Sequence, residues 1–169
     1  MAEYKGSQGI AALKKKLELQ ANLLGQLAAV SVARHIIDES PTGIPYYQSA
    51  LGNIENEPGD FKNSWKVGVG AIDYDIREAD KNGLGAYAEA PTDAARFDFK
   101  RQNEIYVTNS VDHAGQVENG WDASDDPDRI ALGWKDKDGY HIVENNAETM
   151  EGILKDVANF IASGGTTAR

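Results

Sequence analysis

The strongest constraint on this chain is the apolar pattern of its opening segment. Ile10, Leu13, Leu17, Leu24, Leu27 and Ala28 recur at helical spacing, with Ile36 and Ile37 near its end. The spacing predicts a helix from Gly9 to Asp38, stopped at Ser40-Pro41 because the residue before a proline is pushed out of the α region. Such a helix is about 45 Å long at 1.5 Å per residue. That is long for a compact domain built from a chain of 169 residues, so Gly25 is expected to break or bend it into two pieces. Lys14, Lys15 and Lys16 fall together within it. Three consecutive residues cover most of a turn rather than one face, which reads as solvation and not as a nucleic-acid patch.

Beyond Pro41 the chain is rich in Gly, Pro and Asn as far as Lys62, which predicts a long loop. Tyr46, Tyr47 and Leu51 within it either anchor it to a neighbouring subunit or tuck beneath their own. Strands are expected at Ser64–Val69, with Trp65, Val67 and Val69 on one face, and at Glu104–Thr108, with Ile105 and Val107 opposite Tyr106 and Thr108. Between them the alanines of Leu84–Phe97 suggest a short helix interrupted by Pro91. Ile130, Leu132 and Trp134 alternate again, and Tyr140–Val143 follows, with Asp138-Gly139 as a hairpin turn between the two. Met150, Ile153, Leu154, Val157, Phe160 and Ile161 form one apolar helical face. Asn145 and Glu148 resemble a capping pair for that helix, and Gly164-Gly165 supplies its stop.

The order predicts one α+β domain over residues 1–169: a long N-terminal helix, a small antiparallel sheet with long loops, and a C-terminal helix packed on the sheet. Residues 1–8 and 164–169 are expected to lie outside the ordered body unless a partner orders them. A chain of this size buries roughly 70% of its unfolded surface, and a hydrophobic fraction of 41% suffices for a core.

Composition narrows the chemistry. Cysteine is absent, which removes disulfides, thiolate metal sites and cysteine nucleophiles and suits synthesis in the cytosol. The opening residues Met1–Lys5 show no secretory pattern, and no apolar run approaches a membrane span. A net charge of −10 opposes tight binding to a phosphate backbone. It serves solubility, or a lumen that DNA crosses without sticking. His35, His113 and His141 lack metal-ligand spacing, and Gly68-Val69-Gly70 lacks the third glycine of a dinucleotide loop. The acidic run Asp122, Asp125, Asp126 and Asp128 is interrupted by Pro127 and has Gly133 where a calcium loop needs a carboxylate, so it reads as a solvated loop. A hydrolytic carboxylate pair drawn from Asp112, Glu118 and Asp122 would require burial to reach working pKa values. No catalytic residue, cofactor or metal is therefore expected.

Two stretches carry a resemblance. One is Ser40-Pro41-Thr42-Gly43 followed by Pro58-Gly59-Asp60-Phe61-Lys62-Asn63-Ser64-Trp65-Lys66-Val67. The other is Glu104-Ile105-Tyr106-Val107-Thr108-Asn109-Ser110, running on to His113-Ala114-Gly115-Gln116-Val117-Glu118-Asn119-Gly120-Trp121. Together, in this order and between two helices, they resemble the neck or tail-completion proteins of tailed bacteriophages, over about Leu24 to Phe160.

The resemblance implies a virion structural protein without enzymatic activity. It would form a sixfold or twelvefold ring of identical subunits, join the portal or adaptor to the tail proteins, and line a channel through which DNA passes. The alternative within the class is a tail terminator capping the tail tube; outside it stand a small carboxylate hydrolase and a soluble binding module. Trp65, Tyr106, Asn109, Glu118, Gly120 and Trp121 would set the fold: the tryptophans by anchoring, Asn109 by ending its strand, Gly120 by permitting a backbone turn. The chain departs from the pattern at the insertion Ile44–Glu57, at His113 in place of a tyrosine, and at the acidic loop and hairpin that replace a short link. Insertions are where such subunits touch neighbours, which makes Tyr46, Tyr47, Asp125, Asp126, Trp134 and Tyr140 the expected inter-subunit contacts.

Overall fold

The computed structural model describes residues 3–42, 59–111, 114–121 and 137–166. The elements run α1 (Glu3–Glu39), α2 (Asp60–Asn63), β1 (Trp65–Val69), α3 (Leu84–Ala94), β2 (Ile105–Asn109), α4 (Ala114–Asn119), β3 (Gly120–Trp121), β4 (Lys137–Asp138), α5 (Ile142–Asn145) and α6 (Ala147–Ala162). The architecture is the α+β arrangement expected: a long first helix, a small antiparallel sheet and a closing helix.

α1 is one helix of 37 residues, about 55 Å of axis. The expected break at Gly25 does not occur. Glycine there serves a close approach: a Cβ at Gly25 would stand 2.3 Å from the Phe97 ring. Nor does the helix wait for Gly9, since residues 3–8 are helical. Its C-terminal half is the spine of the core, with Leu27, Ala29, Val30, Ala33, Ile36 and Ile37 buried, while Ile10, Leu13 and Leu17 are exposed.

β1 and β2 pair antiparallel, with Trp65 opposite Asn109, Val67 opposite Val107 and Val69 opposite Ile105. Val67, Ile105 and Val107 pack against Ala29, Val30 and Ala33 of α1 and Ala90 and Ala94 of α3, so both helices cover one face of the pair. The other face is crossed by an extended strap, residues 71–79. Thr108 Oγ1 donates to the Asp73 carbonyl at 3.2 Å, and the strap backbone passes so close over Gly68 that a Cβ there would meet the Ala71 oxygen at 2.2 Å. Pro91 lies inside α3 rather than interrupting it. An interior proline costs about 3 kcal/mol of intrinsic helix stability; burial of Ala86, Ala90 and Ala94 on either side of it holds the helix across that position.

The end of the chain departs from expectation in its hairpin. Lys137–Asp138 pairs with Gly120–Trp121, and the expected strand Tyr140–Val143 is replaced by helix α5 from Ile142. Gly139 has no positive φ, so it is not a turn glycine. It lies against the preceding segment, where a Cβ would meet the Glu118 carbonyl oxygen at 2.0 Å. The expected strand Ile130–Trp134 lies outside the described residues, as does most of the long loop after Pro41.

α6 packs along α1 through Val157 and Ile161 against Leu27, with Leu23, Ile153 and Phe160 alongside. Met150 reaches the cluster that Trp65 and Val107 also join. The residue before α6 is Asn146 and not the expected Asn145, and it makes no side-chain cap: its Oδ1 meets His35 Nε2 at 2.7 Å and its Nδ2 donates to the Ile142 carbonyl. The stop is as expected: the Gly165 N–H donates to the Phe160 carbonyl and the Gly164 N–H to that of Ile161, a double closure of the last turn.

Candidate functional site

The two motif stretches, distant in sequence, meet around Trp65. Its ring is buried and stands edge-on to Phe61 at 5.6 Å between centroids. Its indole N–H donates to Ser40 Oγ at 2.8 Å, and the Ser40 hydroxyl donates in turn to the Ile36 carbonyl at 2.7 Å. Helix end, α2 and β1 are thereby tied at one point. Asn109, opposite Trp65 in the strand register, accepts from the Val111 N–H at 3.3 Å, the local turn expected of it. It also donates across to the Phe61 carbonyl at 2.6 Å, which its place in the sequence did not announce.

The later motif residues form a second knot. Both Glu118 carboxylate oxygens accept backbone N–H groups at the start of α5, from Ile142 at 2.9 Å and Val143 at 2.8 Å. A carboxylate at the first turn of a helix also meets the positive end of the helix dipole. Gly120 has φ +79, the turn expected of it, and the Trp121 backbone pairs with Lys137. Tyr106 is half-buried and its hydroxyl donates to Glu104 Oε2; that bond to a carboxylate holds its proton above the ordinary tyrosine range.

Polar residues from α2, β1, the strap and α3 complete the site, and of these Arg77, Glu89 and Asp93 belong to neither motif stretch. Asn63 is buried; it donates to the Glu78 carbonyl at 2.8 Å and accepts from the Ala86 N–H at 2.9 Å. Arg77, from the strap, donates to the Trp65 carbonyl at 2.6 Å and to Glu89 Oε2 through Nε at 3.0 Å. Lys66 pairs with the same carboxylate at 3.4 Å. The hydrogen bond from Arg77 holds Glu89 below the ordinary carboxylate range, with both cations adding to it. Asp93, one turn further along α3, is buried, with Arg96 at 3.3 Å and Arg77 at 4.0 Å. Burial pushes its pKa up against the pull of those cations.

The polar groups of this region mostly bind backbone or one another, which braces α2, β1, the strap and α3 together. Of the carboxylates considered for hydrolysis, Glu118 is occupied by two backbone donors, while Asp112 and Asp122 lie outside the described residues. Among the described residues no three His, Asp or Glu side chains converge as a cation site, and no helix is long and apolar enough to cross a membrane. Of the expected contact residues, Tyr140 is part-exposed beside α5; Tyr46, Tyr47, Asp125, Asp126 and Trp134 lie outside the described residues, as does His113.

An open apolar groove of about 480 Å³ runs along the exposed half of α1, lined by Ile10, Leu13, Leu17, Ala21 and Phe99. Comparison with protein families, curated proteins and solved structures finds no match to this chain.

Proposed function

We propose that the chain is a structural subunit of a tailed bacteriophage, forming a sixfold or twelvefold ring in the neck that joins the portal or adaptor to the tail and lines the DNA channel. The observation that carries this reading is the knot at Trp65. The motif pieces behind the resemblance, Ser40, Phe61-to-Trp65 and Asn109, are mutual partners in space, so they act as one unit and not as scattered coincidences. A braced body with a projecting helix suits a subunit whose task is to hold neighbours. The net charge of −10 suits a wall that DNA passes without adhering.

The test is electron microscopy of particles made without this chain. The expected outcome is DNA-filled heads and finished tails that fail to join. Joined, infectious particles would sink the reading, and tails of uncontrolled length would move it to the tail-terminator alternative.

A further inference from the structure

The chain carries two exposed apolar stripes of opposite flanking charge. The first lies on the projecting half of α1: Ile10 is 71% exposed, and Leu13 and Leu17 are 57% exposed each. Lys14, Lys15 and Lys16 interleave with it, and residues 1–20 hold four lysines against two glutamates in a chain whose net charge is −10. One of those glutamates, Glu18, is already engaged by Lys100 at 2.8 Å.

The second stripe lies on the strap. Ile72, Tyr74 and Ile76 are exposed at 39%, 73% and 55%, alternating with Asp73 and Asp75 and followed by Glu78 and Asp80. The strap is anchored from beneath by Thr108 and Arg77, which leaves the alternate side chains to solvent. Its one arginine is held by Glu89 and backbone carbonyls. Among the described residues neither Lys14, Lys15 and Lys16 nor Asp75 and Glu78 make an ion pair within the chain.

The geometry points to a contact between copies: the α1 arm of one subunit lies on the 72–78 strap of the next. Two arms laid against each other would bring two lysine triplets together, a like-charge juxtaposition that suppresses pairing. Arm on strap joins apolar stripe to apolar stripe and lysine to aspartate. The two surfaces belong to different parts of the chain, so the contact is heterologous and propagates head to tail, closing into a ring when the rotation permits. This rests on the part of the proposed function in which identical copies associate, and it names the surfaces they use.

The absence of cysteine allows a direct test in the full chain. Leu17→Cys and Tyr74→Cys variants, both at exposed positions, are mixed and treated with a short bismaleimide, while light scattering follows association of the wild type. The expected result is a 17–74 product in the mixture. The 17–17 product from the arm variant alone should be weaker by at least about tenfold, which needs a like-charge penalty of only about 1.4 kcal/mol.

Reversing Lys14, Lys15 and Lys16 to Glu should remove the 17–74 product, and adding Asp73→Lys and Asp75→Lys to the same chain should restore it. A dominant 17–17 product, or charge reversal without effect, overturns the arm–strap contact. Association that persists without a 17–74 product also overturns it and leaves the ring reading standing. Absence of both association and product at millimolar chain overturns the contact as a self-sufficient one.

Discussion

The indole N–H of Trp65 has one acceptor, the Ser40 hydroxyl, and that hydroxyl is in turn committed to the Ile36 carbonyl. Ser40→Ala strands a buried donor, and stability should fall by about 1–3 kcal/mol. A urea midpoint shifted no more than for an exposed substitution would remove the serine from the knot. The two acidic residues facing Arg77 respond to pH with opposite sign. Asp93 is raised by burial, so the folded chain keeps its proton where the unfolded chain has lost it. Its contribution is most favourable at low pH and declines as pH rises from the ordinary aspartate value through the raised one. Glu89 is lowered by Arg77; its contribution is present above the ordinary glutamate value and fades as pH falls through the lowered one, and it is small because the side chain is half exposed. Asp93→Asn should therefore gain stability relative to the wild type as pH rises through the acidic range toward neutrality. Urea midpoints at a series of pH values test this, and a pH-independent difference would dismiss burial as the cause.

Among the elements, α1 shows where propensity and packing disagree. Glycine inside a helix is less stable than alanine by about 1 kcal/mol, which motivated the expected break at Gly25. Packing decides otherwise, because the Phe97 ring occupies the space a side chain would take. Gly25→Ala should destabilise the protein by roughly 1–3 kcal/mol through overpacking. In a Phe97→Ala background the same change should stabilise it, and a cycle of the four proteins by denaturant unfolding reads the reversal. Periodicity revealed what periodicity governs: the first helix, strands β1 and β2, and the amphipathic face of α6 were all visible in spacing. The Trp65–Phe61–Asn109 grouping was visible only as a likeness between segments. The pairing of Gly120–Trp121 with Lys137–Asp138 was hidden because Gly139 is required by the Glu118 carbonyl across the chain and not by its own turn. Asn63 and Arg77 were equally hidden, since their partners, Ala86, Glu78, Trp65 and Glu89, become neighbours only once β1, the strap and α3 are assembled.

At the scale of the whole molecule, the buried core and the proposed arm–strap contact use different halves of α1. The buried residues of that helix begin at Leu27, and residues 9–16 are exposed. Removing residues 1–16 should leave the unfolding free energy within about 0.5 kcal/mol of the full chain, as for surface changes generally. The 17–74 crosslink should be lost at the same time, together with any self-association. A truncated chain that unfolds much more easily would place part of the core in the arm. The attraction should also weaken with added salt, because exposed charges are screened over about 10 Å at 0.1 M. The length of α1 has a mechanical consequence as well. A rod held as far as Glu18 by Lys100, with its tip at Glu3, extends roughly 22 Å at about 1.5 Å per residue, and a tilt of roughly ten degrees at the clamp carries the tip about 4 Å. In the proposed assembly this would make α1 a lever, with small rotations of one body arriving at the neighbour as displacements of most of a helical turn.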